Sequence, residues 1–167
     1  MVKRLKSQKE VVRISGKLKE IVTLEDEVGN TIHKIISPLM VEFYVRDLLQ
    51  VIVGATILSI PLAFTEETWR LGEALPMPNI VALGVISFVF MSTFIYYNSY
   101  KDQMSDHWFN FFKRVLATYV IALLVVALIL TVIEKADWTN EFLLSLKRVI
   151  IVALPASLSG AVADGLK

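Results

Sequence analysis

The sequence contains no cysteine and only two histidines. The first absence excludes thiol nucleophiles, disulfide scaffolds and zinc thiolate sites. The second leaves His33 and His107 without a second ligand at metal-binding spacing, so both read as solvated surface residues and no metal or cofactor is expected. Charge is scarce as well. Only 20% of the 167 residues are charged, and 17 Lys plus Arg nearly balance 16 Asp plus Glu, so a net charge of +1 gives no pull toward nucleic acid. The H-E-x-x-H, G-x-S-x-G, Walker lysine and G-x-G-x-x-G patterns are all missing, and no enzymatic activity or catalytic residue is expected.

Apolar side chains are abundant. They make up 55% of the chain, and the mean hydropathy is +0.60, the composition of an integral membrane protein. A helix needs roughly 20 apolar residues to cross about 30 Å of hydrocarbon. Three uncharged windows meet this need, Leu48–Phe64, Ile80–Tyr97 and Val115–Ile133. A fourth, Phe142–Ala163, carries Lys147 and Arg148, each costing about 2.5–3.5 kcal/mol at the bilayer centre. Both lie near its start, where they can snorkel to headgroups or face water. The expected architecture is all-α, with four spans in a transmembrane domain over 48–164 and a basic cytosolic element over 1–47.

That first segment is not read as a signal peptide, because no apolar core follows its basic start. Val12, Ile14 and Leu18, then Ile21, Val22 and Leu24, then Ile32, Ile35 and Ile36 are interleaved with charges. A β-hairpin and an amphipathic surface helix both fit this spacing. Gly16 weighs against the helix, and Gly29-Asn30 suggests a turn.

Counting Lys plus Arg outside the spans gives nine before Leu48, three from Asn98 to Arg114 and one from Thr65 to Asn79. Cytoplasmic loops attract the positive excess. Both termini are therefore expected in the cytoplasm, with the protein in the inner (plasma) membrane. Tyr96, Tyr97, Tyr100, Trp108, Phe109, Phe111 and Phe112 read as an interfacial belt beside Lys101, Lys113 and Arg114, which suit anionic headgroups. Asp164, close to the C-terminus, reads as solvated.

Three features bear on function. Glu66 and Glu67 follow the first span, and in a homo-oligomer one acid per subunit would form a ring that concentrates metal cations at a pore mouth. Gln50 and Ser59 lie on the less apolar face of the same span, together with Gly54, Ala55 and Pro61. In the fourth span, Ala153, Ser157 and Ala161 repeat every four residues beside Ala156, Gly160 and Asp164, forming small-residue rows that let another helix approach.

The pentapeptide Thr65-Glu66-Glu67-Thr68-Trp69 resembles the T-x-E-S-W filter of bacterial voltage-gated sodium channels. That resemblance implies a filter carboxylate at Glu67, shaped by Thr65 and Trp69, although the chain has no Arg-rich voltage sensor. A longer stretch, Gly54-Ala through Pro61, Thr65-Glu-Glu-Thr-Trp69 and Leu71-Gly-Glu73 to Pro76, resembles an uncharacterised family of small prokaryotic four-span membrane proteins. It implies the topology and no particular reaction. The leading expectation is thus an oligomeric cation channel in the lipid bilayer. The alternatives are a small secondary transporter and a non-transporting subunit that binds a partner through the fourth span.

Overall fold

The computed structural model of the chain describes residues 6–14, 17–25, 31–38, 43–101 and 104–166. The chain divides between Glu42 and Phe43 into two units. The first is an antiparallel sheet in the order β1-β2-β3, formed by β1 (Lys6–Ile14), β2 (Lys17–Glu25) and β3 (Thr31–Pro38). Its sequence is rich in β-branched residues, which favour the pleated surface. Ile21 of the central strand, opposite Glu10 on one side and Ile36 on the other, is buried. Strands therefore replace the amphipathic-helix alternative, and there is one more than a hairpin has. The third arises because Ile35 and Ile36 find partners in Val22 and Ile21. The turns expected at Gly16 and Gly29-Asn30 lie outside the described residues.

The second unit contains α1 (Val45–Ala63), α2 (Glu66–Ala74), α3 (Met77–Ile95), α4 (Met104–Val132) and α5 (Phe142–Gly165). A π-turn, Tyr96–Tyr100, extends α3, and α4 is kinked at His107. Four segments are long and apolar enough to cross a membrane: α1, α3 with its π-turn, α4 from His107 onward, and α5. The nine-residue α2 is too short to span and lies in the Thr65–Asn79 stretch between the first two spans. Both ends of this unit, Phe43 and Leu166, lie on one side of the bundle, here the terminal end. The opposite side is the α2 end.

The surface is turned inside out relative to a soluble bundle. Val81, Val85 and Val89 on α3 are exposed, as are Leu116, Val120, Leu124, Leu128 and Val132 on α4, one greasy stripe per helix at near-helical spacing. Small and polar side chains such as Gly54, Ser59, Ser87, Thr118 and Ser157 are buried beside apolar ones such as Met91, Val126 and Leu130. The central helix is α5, which packs against α1, α2, α3 and α4. Between lipid-embedded helices association depends on close packing rather than on water exclusion, so small residues mark the contacts. A Cβ on Gly54 would lie 2.5 Å from Ala163 Cβ and 2.6 Å from the Ser159 carbonyl oxygen, and one on Gly160 would lie 3.2 Å from Val51. Gly54→Ala is accordingly expected to push α1 off α5 and destabilise the fold by about 1–3 kcal/mol. Thermal unfolding in detergent, followed by loss of helical circular dichroism, checks this.

Candidate functional site

Four elements each deliver an ionisable or phenolic side chain to one buried position at the terminal end. Asp47 comes from the first turn of α1, Tyr100 from the end of the π-turn, Arg114 from α4 and Asp164 from the last turn of α5. None is more than 2% exposed. Arg114 Nε and a terminal guanidinium nitrogen each lie 2.7 Å from Asp164 Oδ2. The Tyr100 hydroxyl is hydrogen-bonded to Arg114, and Asp47 and Asp164 are both close enough to act electrostatically on that phenol. Asp47 also accepts a hydrogen bond from the Tyr44 backbone N–H at 3.0 Å, which ties the start of α1 to the cluster.

Local structure explains each placement. Met91 and Ile95, four residues apart, are buried on one face of α3. The wider π-turn then makes the next inward position five residues on, so Tyr100 joins that face and its ring meets Phe111 edge-on at 5.3 Å. On α4, Arg114 opens the buried row Arg114, Thr118, Ala122, Val126 and Leu130. An unpaired guanidinium at membrane depth costs several kcal/mol, whereas a carboxylate partner with well-directed hydrogen bonds offsets most of it. In formal charge the cluster holds two carboxylates against one guanidinium.

Polar groups continue from the cluster into the bundle. The Thr118 hydroxyl, one turn beyond Arg114, is buried and has no hydrogen-bond partner among the described residues. Farther in, the Ser157 hydroxyl lies 3.1 Å from the Leu154 carbonyl and 2.9 Å from the Ser87 hydroxyl, with which it shares a buried hydrogen bond. Tyr119 donates to the Gly84 carbonyl at 3.3 Å.

The α2 end is tied together differently. Thr65 donates to the Leu62 carbonyl at 2.8 Å and lies 2.8 Å from the Thr68 hydroxyl, while Trp69 Nε1 donates to the Ala63 carbonyl at 2.7 Å. These bonds satisfy carbonyls at the C-terminus of α1, which have no partner within their own helix. Thr65 and Trp69 thus serve a helix–helix corner. Lys135 sits 4.0 Å from the centre of the Trp69 ring. Arg148 donates to the Lys135 carbonyl at 2.9 Å and to Glu73 Oε1 at 2.7 Å, and Lys147 donates to the Leu75 carbonyl at 2.8 Å. In the neighbouring loop, hydrogen bonds from Thr139 and Asn140 hold the Asp137 carboxyl well below the usual carboxylate range.

The structure does not bring the sequence-derived candidates together. Glu66 and Glu67 are exposed in the first turn of α2, where a carboxylate suits the helix dipole. Gln50 lies toward the other end of α1, about 20 Å by helical rise from its last residue, Ala63, and donates to the Leu166 carbonyl at 3.5 Å. Ser59 is buried within the subunit and bonds the Thr56 carbonyl. Ala153, Ala156, Ser157, Gly160 and Ala161 are all buried.

Three expectations are corrected. Asp164 is not solvated but ion-paired in the interior, because the last turn of α5 faces α4. Arg114 is not at the headgroups, because α4 begins well before the uncharged window that defined the third span. Tyr100 is not at the interface, because the π-turn carries it into the interior, where it is fully buried. Arg114 could have been found by extending the small-residue face of α4 backward from Ala122 and Thr118. Among the described residues no group of three or more His, Cys, Asp or Glu is placed to hold a metal ion.

Four membrane-length helices around an internal charged cluster define a polytopic protein embedded in a lipid bilayer. The chain belongs to the DUF2391 family of integral membrane proteins, whose model matches residues 18–164. The resemblance carried by Gly54 to Pro76 thus leads to a family of membrane proteins, as expected. No curated protein and no solved structure matches the chain.

Proposed function

We propose that this protein is a small secondary transporter coupled to a cation, and that the Asp47–Tyr100–Arg114–Asp164 cluster is the element that responds to the cation. The observation that carries the reading is the convergence of these four side chains from four separate elements on one buried position. Hydrophobic residues of similar volume would fill such a site with equal or better stability, so a charge cluster there is poorly explained by stability alone. Ionisable residues inside a membrane bundle characteristically mark ion pathways and proton relays. The single excess carboxylate in formal charge suits a proton or an alkali cation. Thr118, Ser87, Ser157 and Tyr119 supply hydroxyls further along the interior, where no apolar packing requires them.

An oligomeric cation channel is the second reading, favoured by the exposure of Glu66 and Glu67 on the same end of every subunit. It needs several copies around an axis lined by α1. The exposed face of that helix is Leu49, Val53, Ile57, Ile60 and Phe64, which offers ions no replacement for their hydration shell. A partner-binding subunit has less support, because α1 already occupies part of the small-residue face of α5. The distribution of basic residues favours a cytoplasmic terminal end.

Purified protein in liposomes under an imposed proton or sodium gradient tests the proposal. Wild type is expected to dissipate one of the two gradients faster than protein-free vesicles do, with Glu66→Gln and Glu67→Gln changing the rate little. A strong loss in either glutamine variant would move the assignment to the channel. Wild type without effect on either gradient would overturn both.

A further inference from the structure

A second site lies at the α2 end, remote from the buried cluster and independent of the transport reading. A groove of about 490 Å³ opens there between α2 and α5, lined by Gly72, Glu73, Met77, Leu143, Leu144 and Lys147. Its walls are mainly apolar, and Met77 and Leu143 are exposed along it. The charged groups around it are not balanced. Glu73 is engaged by Arg148 at 2.7 Å, which leaves Lys147 with a carbonyl acceptor, Leu75 O at 2.8 Å, and no carboxylate within 4.0 Å among the described residues. Two residues beyond Leu75, α3 begins at Met77 with Pro76 as its N-cap, no side-chain cap and no acid in its first turn; Pro78 carries no N–H, and the Asn79 and Ile80 N–H groups bond the Pro76 carbonyl, so this end supplies potential rather than a set of free donors. That helix end therefore adds positive potential to the Lys147 ammonium instead of neutralising it.

A half-buried ammonium, an uncapped helix N-terminus and an apolar groove open to the side of the bundle together fit one kind of ligand. We propose that the groove binds an anionic membrane phospholipid, with the headgroup phosphate on Lys147 in the positive potential of the α3 N-terminus, and an acyl chain along Met77, Leu143 and Leu144. The depth agrees with this placement. Lys147 lies five residues beyond the first residue of α5, about 8 Å along the helix axis, which puts it near headgroup level with apolar wall below. Gly72 belongs to the design, because it lets the Arg148 side chain pass close to α2: a Cβ there would lie 2.7 Å from Arg148 Cγ. Arg148 can then reach Glu73 without entering the groove lining.

The test is thermal unfolding of the full chain in bicelles of phosphatidylcholine alone and with added phosphatidylglycerol, for wild type, Lys147→Gln and Lys147→Arg. Wild type is expected to gain several degrees from phosphatidylglycerol. Lys147→Gln should lose most of that gain, and Lys147→Arg should keep it. If Lys147 only caps α2, Lys147→Gln melts lower by the same amount in both lipids and retains the phosphatidylglycerol increment, which overturns the proposal. Absence of an increment in wild type overturns it too, as does an equal increment produced by inorganic phosphate in phosphatidylcholine, because the occupant is then a free anion.

Discussion

Asp164→Ala is expected to destabilise the protein by about 3–5 kcal/mol, the cost of stranding one member of a buried ion pair. The geometry gives this figure its force. Arg114 is 1% exposed, and two of its nitrogens share the same Asp164 oxygen at 2.7 Å. Without that carboxylate the guanidinium has to break out of the bundle or hold water within it. Removing both charges is a different matter. Arg114→Met combined with Asp164→Leu is expected to restore stability to near wild type, since apolar residues can fill the space without desolvation cost. Thermal melts of the two single variants and the double variant form a cycle whose coupling should far exceed the few tenths of a kcal/mol seen for independent sites.

The second large effect is expected on transport, from Asp47→Asn. Asparagine has nearly the same shape as aspartate and can still accept the Tyr44 N–H bond that starts α1, so stability should change little. The formal charge of the cluster, however, rises from one negative to zero. A barrier change of about 1.4 kcal/mol alters a rate tenfold, and in a low-dielectric site a unit charge exceeds that over several ångströms. Gradient dissipation by Asp47→Asn in liposomes should therefore fall at least about tenfold, while its melting temperature stays close to that of wild type. Unchanged dissipation would remove Asp47 from the cation-responsive element.

Hydropathy made most of the fold legible, because the membrane imposes a length and an apolar content on each span that no other role demands. Leu48–Phe64 lies almost wholly within α1, and Phe142–Ala163 lies within α5. The third window shows what hydropathy leaves out. It began at Val115 because Arg114 is charged, yet the helix runs on through Arg114 to the kink at His107. Treating a charge as the edge of a span hides any charge paired within the bundle. Asp164 was missed for the same reason, since its partner lies 50 residues away on another helix. The π-turn that brings Tyr100 inward leaves no mark in the sequence at all.

The α2 end shows the opposite difficulty. Thr65, Glu66, Glu67, Thr68 and Trp69 formed a conspicuous motif, and conspicuous residues invite a functional reading. Three of the five are engaged in the corner between α1 and α2, through bonds to Leu62 and Ala63 and between the two threonine hydroxyls. A helix corner at a membrane boundary needs polar caps and an aromatic anchor, and this pattern meets that need without any ion. The small rows of α5 were legible as a close-approach surface. Which helix would fill the surface was not, because α1 became its neighbour only through a contact more than 100 residues apart in sequence, Gly54 against Ser159 and Gly160.

The buried cluster either takes part in moving a cation or only holds helices together. The double variant Arg114→Met with Asp164→Leu separates these roles, because it is expected to fold while lacking the ion pair. Reconstituted at equal protein density, wild type should dissipate an imposed proton or sodium gradient, and the double variant should match protein-free liposomes. Equal rates in wild type and a correctly folded double variant would contradict the account and leave the cluster a structural element.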